Sequence, residues 1–179
     1  MEKLNHPIVL IHGLGAKAKI GPVEYFYKIP SALRESGNRV FIADLPAFQT
    51  VEKRASVLKK QIDAEFGSEK VNLIGHSFGG LDARYLASQL DSSNRIASVT
   101  TIGTPNKGSL IADVLMGVSP DKTIDFIDLV ASKFFSFADF SAKAYEQITS
   151  SYASEKLAMH APMTSGVAYY SAMTVIKKP

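Results

Sequence analysis

The chain has 179 residues, of which 46% are hydrophobic and 21% are charged, with a formal net charge of +3 and no cysteine. This length and composition suit a single folded domain with a buried core, and they exclude a disordered chain or one made of membrane spans. The lack of cysteine excludes disulfides and thiolate metal sites, and the scattered positive charge predicts no nucleic-acid binding. No apolar run of signal-peptide length precedes residue 8, so we expect a cytoplasmic protein or the mature form of a secreted one.

Strand and helix patterns alternate through the first hundred residues. The apolar run Ile8–Ile11 has no polar alternation, which is typical of a strand buried on both faces. Apolar residues recur every three or four positions over residues 51–66, which predicts an amphipathic helix with Thr50 as its N-cap and Gly67 as its stop. The same reasoning predicts strands at 39–43, 71–74 and 96–102, and helices at 29–36 and 81–90. This order predicts an α/β fold with a mostly parallel, doubly wound sheet and helices on both faces.

The pattern changes after residue 109. No convincing strand occurs between residues 110 and 160, and a strand pattern returns at 167–175. We therefore predict a single domain over residues 1–179 that contains a helical insertion at 110–160. Apolar side chains of this insertion either pack on the core or face outward; they are Ile124, Ile127, Val130, Phe134 and Phe137.

A serine motif lies between a predicted strand and a predicted helix. The segment Gly75-His76-Ser77-Phe78-Gly79 matches G-x-S-x-G. In a nucleophile elbow the serine occupies a strained turn, and small residues two before and two after it let the strand and the helix approach closely. Ser77 is therefore the candidate nucleophile, and Gly75 and Gly79 provide the room. The alternative is a glycine–serine turn without chemistry.

A hydrolytic serine also needs fixed donors for the oxyanion that forms during the reaction. The backbone N–H after the nucleophile is one such donor, which points to Phe78, and the second comes from a loop after an early strand. The sequence His12-Gly13-Leu14-Gly15 ends the first strand, so we assign the Leu14 N–H. The alternative for this loop is an ordinary glycine turn.

The serine needs a base, and the base needs a carboxylate. Four histidines are present, at positions 6, 12, 76 and 160. The first three are predicted to be structural. His160 is an alternative base, but it precedes the last predicted strand, whereas in this kind of site the acid and the histidine follow late strands. The acid and base therefore stay unassigned, and we predict no metal site and no cofactor in this chain.

Four sequence blocks resemble a known family, the bacterial true lipases of the Pseudomonas and Proteus type. These triacylglycerol lipases belong to the α/β-hydrolase superfamily. The blocks occur in family order at residues 7–15, 29–34, 71–80 and 103–109. The resemblance implies that Ser77 is the nucleophile and that Leu14 and Phe78 supply the oxyanion amides. Phe78 replaces a residue that is often histidine in relatives, which is harmless if only its backbone is used.

The resemblance also implies what lies outside this sequence. The family's catalytic Asp and His and its structural calcium ligands follow the strand at 167–175, so we expect this chain to be the N-terminal portion of the fold. The insertion at 110–160 corresponds to the family's lid, whose apolar stripe would face lipid when open. Secretion is implied by the family in the same way.

We therefore expect a carboxylic ester hydrolase, a lipase or esterase acting through an acyl-enzyme on Ser77 at a lipid–water interface. Its activity would require a C-terminal segment or a second chain that supplies Asp and His. The alternative is a catalytically incomplete fragment that binds lipid or a partner chain. Acyl-transferase and thioesterase activities would use the same serine with a different acceptor or pocket.

Overall fold

Strands and helices alternate through the first hundred residues, as the sequence predicts. The computed structural model describes residues 2–21, 23–116 and 142–173. Its strands are β1 (Ile8–Ile11), β2 (Lys19–Ile20), β3 (Val23–Glu24), β4 (Val40–Ala43), β5 (Val71–His76), β6 (Ile96–Ile102) and β7 (Ala168–Ala172). Its helices are α1 (Ile29–Glu35), α2 (Val51–Phe66), α3 (Phe78–Tyr85), α4 (Leu110–Leu115), α5 (Ala142–Glu146), α6 (Ser150–Tyr152) and α7 (Ala158–His160), with π-helical turns at Leu86–Leu90 and Ala153–Leu157.

Five strands form one parallel sheet in the order β4-β1-β5-β6-β7. Ile11 at the end of β1 pairs in register with Gly75 of β5. Because parallel strands end at the same edge, the loop after β1 and the turn after β5 lie side by side. The predicted α/β fold with a mostly parallel sheet is confirmed. The short antiparallel pair β2–β3 was not predicted from the sequence.

The sheet is covered on both faces, because the side chains of its interior strand β1 alternate between two apolar clusters. Val9 and Ile11 pack in a cluster with the buried side of α2 and α3. Ile8 and Leu10 pack on the other face with Phe26 and with residues of α1 and β4. This alternation explains the continuous apolar run of β1 and confirms the doubly wound arrangement.

Two predicted boundaries near the serine were wrong. The strand predicted at 71–74 continues to His76, and the helix predicted from residue 81 begins at Phe78, directly after Ser77. The glycines at 79 and 80 concealed this start, because glycine disfavours a helix interior. At the start of α2, Thr50 holds the N-cap position without a side-chain capping bond. The Val51 amide, at the first helical position, donates to Gln147 Oε1 at 2.7 Å.

The described ends of the stretch 110–160 are helical, in α4 and in α5 to α7. The apolar residues that we named for the predicted lid lie outside the described residues; they are Ile124, Ile127, Val130, Phe134 and Phe137. Their role as a lid stays a prediction. Among the helices that the structure describes, none is long and apolar enough to span a membrane.

Candidate active site

Ser77 joins β5 to α3 with a backbone conformation that non-glycine residues rarely adopt. Its φ is 54° and its ψ is −125°. The turn is held from both sides, because the Ser77 N–H donates to Ile102 O at 2.9 Å and the Gly80 N–H donates to Ser77 O at 3.1 Å. A strained residue of this kind persists only where its surroundings enforce it, and such residues cluster at functional sites.

The glycines around Ser77 have no room for a side chain. A Cβ built on Gly75 would lie 2.3 Å from Gly79 O, and one on Gly79 would lie 2.3 Å from Ile11 O. Both contacts are with backbone, so neither neighbour can move aside without moving the sheet or the helix. Gly80 is restricted as well, since its Cβ would lie 2.1 Å from Thr104 Oγ1. The structure thus brings β1, β5 and α3 together at the serine.

The loop after β1 packs directly against Ser77 at Gly13. A Cβ on Gly13 would lie 3.1 Å from Ser77 Cβ, 3.4 Å from Ser77 Oγ and 3.0 Å from Tyr25 Oη. The Gly15 N–H donates to Ala47 O at 2.7 Å, which anchors the far side of the loop. In the part of the chain that the structure describes, neither the Leu14 N–H nor the Phe78 N–H donates to a protein acceptor. Neither amide assigned to the oxyanion hole is thus engaged by a described residue.

The peptide between Gly13 and Leu14 is held by its carbonyl. His12 accepts a hydrogen bond from the Leu45 N–H at Nε2 (3.0 Å), so its proton lies on Nδ1, which donates to Gly13 O at 2.9 Å. Burial lowers the pKa of His12, which favours this neutral form. Because the C=O and N–H of a trans peptide point in opposite directions, a held Gly13 carbonyl directs the Leu14 N–H the other way.

A buried ion pair lies behind the same loop. Arg54 Nε donates to Asp82 Oδ2 at 2.8 Å, and both side chains are fully buried. Arg54 Nη2 donates to His12 O at 2.8 Å and approaches Gly13 O at 3.5 Å. Burial raises the pKa of Asp82 to about 7, although Arg54 opposes the rise. The sequence reasoning missed this pair, yet Arg54 follows Val51 by three positions and precedes Leu58 by four, which places it on the apolar face of α2.

Tyr25 is a second residue that the sequence reasoning missed. The Gly13 N–H donates to the Tyr25 hydroxyl at 3.2 Å, and that hydroxyl lies 2.6 Å from His76 Nδ1. The tautomer of His76 decides which of the two groups donates in the second bond. The ring of His76 is thereby held beside the elbow, and it does not bond to Ser77 Oγ.

None of the histidines, all of which the structure describes, lies in position to serve Ser77. Both ring nitrogens of His12 and Nδ1 of His76 are hydrogen-bonded as described above. His6 precedes β1, at the amino ends of the parallel strands, whereas Ser77 lies at their carboxyl ends. His160 lies near the far end of the helix that follows the serine, where its carbonyl accepts from Ser88 Oγ at 3.4 Å. At a helical rise of about 1.5 Å per residue, Ser88 is roughly 16 Å along the helix from Ser77. The geometry gives no support to His160 as the base.

Over residues 2–21, 23–116 and 142–173, no three histidine, aspartate or glutamate side chains converge as metal ligands would. The structural calcium site implied by the resemblance stays a prediction about residues beyond those that the structure describes.

The profile of the alpha/beta hydrolase fold family matches residues 6–151. The chain belongs to this family. This α/β-hydrolase is 41% identical over 122 residues to a triacylglycerol lipase of Vibrio cholerae, a match that covers 66% of the chain and 38% of the relative. It is 44% identical over 113 residues to a triacylglycerol lipase of Pseudomonas fragi, covering 62% of the chain and 38% of the relative. The resemblance to bacterial lipases is confirmed.

The fold of this α/β-hydrolase is also seen in a crystal structure of Bacillus licheniformis lipase BlEst2 in its mature form. The TM-score is 0.70 at 19% identity, and the match covers 93% of this chain and 64% of that chain. The chain therefore spans about two fifths of the length of the relatives it matches in sequence, and under two thirds of this structure.

Proposed function

We propose that this α/β-hydrolase chain is the nucleophile-bearing part of a carboxylic ester hydrolase of the triacylglycerol lipase type. The observation that carries the proposal is the strained φ of 54° at Ser77, in a turn packed against the Gly13 loop. Strain of this kind at a strand–helix turn projects the serine hydroxyl at the edge of the sheet. The Leu14 and Phe78 amides, which donate to no acceptor among the described residues, lie on the two segments that flank it.

In the proposed reaction Ser77 Oγ attacks the ester carbonyl carbon while its proton passes to a base. The carbonyl oxygen becomes an oxyanion that accepts hydrogen bonds from the Leu14 and Phe78 amides. Collapse of this intermediate breaks the bond to the alcohol, which leaves with the proton from the base. Water then attacks the acyl group on Ser77, the base takes the proton of the water, and the acid product and free serine are released.

The base and its carboxylate partner would come from residues outside those described, either a C-terminal segment of the same protein or a second chain. No described histidine ring is hydrogen-bonded to Ser77 Oγ, and the matched relatives extend well beyond the matched region. Within the described residues β7 pairs only with β6, and Tyr170 on it is 62% exposed. Strands of a parallel sheet are normally covered, so this edge is a suitable place for a further strand.

The proposed substrates are lipid esters presented at a lipid–water interface. Support comes from the two bacterial relatives, both triacylglycerol lipases. Leu110 and Ile111 are the first two residues of the predicted lid, at the start of α4, and their exposed fractions are 74% and 54%. Adjacent exposed apolar side chains of this kind suit contact with an apolar surface.

Hydrolysis of p-nitrophenyl esters by purified protein tests the proposal. Ser77→Ala should abolish turnover, whereas Ser68→Ala, at an exposed position on the loop after α2, should leave it unchanged. Intact-mass spectrometry of the same preparation shows whether a second polypeptide accompanies the chain. Equal rates for the parent and Ser77→Ala would contradict the proposal.

A further inference from the structure

The side chain of Arg54 connects three separate segments of the chain. From its place on α2 it donates to Pro46 O at 2.7 Å, to His12 O at 2.8 Å and to Asp82 Oδ2 at 2.8 Å. A single guanidinium thus links the segment before α2, the loop after β1 and the helix α3. Arginine suits this task because its planar donors have fixed directions.

Asp82 and one of the candidate oxyanion amides lie on the same helix. Asp82 follows Phe78 by four positions in α3, which is about one helical turn. Arg54 also lies over the Phe78 ring, with 5.4 Å between its Cζ and the ring centroid. Its contact with Asp82 therefore fixes Arg54 relative to the helix that carries the Phe78 N–H.

The other end of the same guanidinium reaches the second candidate donor. Arg54 Nη2 binds His12 O and approaches Gly13 O, and Gly13 O belongs to the peptide whose N–H is that of Leu14. The Phe78 and Leu14 amides are thus linked by a series of contacts. It runs from α3 through the Asp82 carboxylate and the Arg54 guanidinium to the Gly13–Leu14 peptide.

We infer that Asp82 is a positioning residue for the oxyanion hole, because its carboxylate, acting through Arg54, holds the Gly13–Leu14 peptide in place relative to the Phe78 amide. The inference rests on the proposed function, since it assigns the two amides to an oxyanion. The position of the Gly13–Leu14 peptide can be measured without any assay of hydrolysis.

The competing explanation is that the pair only stabilises the fold. Buried ion pairs are often replaced by apolar residues without loss of stability, because desolvation offsets the attraction between the charges. The double variant Arg54→Met/Asp82→Leu separates the two explanations, since it removes the connection and leaves no unpaired buried charge. Asp82→Asn tests the charge with little change in shape.

Amide hydrogen exchange and chemical shifts in ¹H–¹⁵N NMR spectra of the whole 179-residue chain provide the test. The Gly15 amide reports on the loop through its bond to Ala47 O, and the Leu73 amide in β5 reports on global unfolding. Asp63→Asn is the matched control, because Asp63 pairs with Arg95 and Lys59 near the opposite end of α2.

In Asp82→Asn and in the double variant, we expect Gly15 to exchange about tenfold faster relative to Leu73, the scale of losing a hydrogen bond to a charged group. The chemical shifts of the Gly13 and Leu14 amides should change in both variants. In Asp63→Asn, neither these shifts nor the relative exchange rate of Gly15 should change. Where Ser77-dependent hydrolysis is present, kcat should fall with KM nearly constant.

Unchanged loop exchange and shifts in both variants would overturn the inference, whatever the hydrolysis shows. Changed shifts without Ser77-dependent hydrolysis would support the positioning and count against the proposed function alone.

Discussion

The carbonyl oxygen of Gly79 lies 2.3 Å from the position that a Cβ on Gly75 would occupy. Real Cβ atoms do not approach backbone oxygens this closely, so the strand before Ser77 and the helix after it are in contact through their main chains. The G-x-S-x-G spacing is in this sense a packing requirement of the turn, and the strained serine conformation follows from the same contact.

Gly75→Ala should therefore destabilise the fold strongly, by about 3 kcal/mol or more, because overpacking here displaces backbone and not a side-chain tip. Gly67→Ala is the matched control. Its Cβ meets nothing within 4 Å, and only its backbone conformation, with φ 54° and ψ −115°, is unfavourable, at a cost of about 1–3 kcal/mol. Urea unfolding of both variants measures the difference. Equal losses would show that the close approach at Gly75 is not limiting.

Gly13→Ala should affect hydrolysis more than stability. Its Cβ would meet Ser77 Cβ at 3.1 Å and Tyr25 Oη at 3.0 Å, contacts that require shifts of a few tenths of an ångström. Small displacements at reacting groups reduce rates about tenfold or more, so ester turnover should fall to that extent while the midpoint of unfolding changes little. Gly21→Ala, on the turn between β2 and β3, is the control: its Cβ has no neighbour within 4 Å, so its φ of 58° should lower stability while turnover is kept. Parental turnover in Gly13→Ala would count against a reaction at this point.

The pH dependence of stability should contain a contribution from His12. Burial lowers its pKa below the ordinary value of 6.5, so below about pH 6.5 the unfolded chain binds a proton that the folded chain does not. The free energy of unfolding should therefore fall as pH decreases through this range, by up to about 1.4 kcal/mol per pH unit. In His12→Gln, which cannot titrate, this part of the decrease should be missing. Parallel profiles for the two proteins between pH 7 and 5 would contradict a neutral, buried His12.

The elements that could be predicted from the sequence are those with a local signature. The apolar run of β1 and the periodicity of α2 depend only on which face each residue buries, and both predictions were confirmed. The start of α3 at Phe78 could not be read, since glycine lowers local helix propensity and only the contact with the sheet explains it. Thr50 holds the predicted N-cap position but makes no side-chain capping bond, and the bond from the Val51 amide to Gln147, far away in the sequence, could not be predicted from local pattern.

In the candidate site, too, only the residues with a local signature could be predicted from the sequence. Ser77 and its two glycines follow from a short motif in a readable context. The parts that hold the loop do not, because Tyr25, Arg54 and Asp82 meet only after the sheet has formed. Arg54 carried a usable signal, namely a charged residue on the apolar face of a helix, which requires a buried partner.

Acyl-enzyme trapping tests the central claim most directly. The protein, purified with any accompanying chain, is mixed with a p-nitrophenyl ester, quenched in acid and digested with trypsin. Cleavage after Lys70 and Arg84 releases residues 71–84, in which Ser77 is the only hydroxyl side chain. We predict that this peptide gains the mass of the acyl group and that Ser77→Ala eliminates the gain. An acyl group on any other peptide, or equal labelling of residues 71–84 in Ser77→Ala, would contradict Ser77 as the nucleophile.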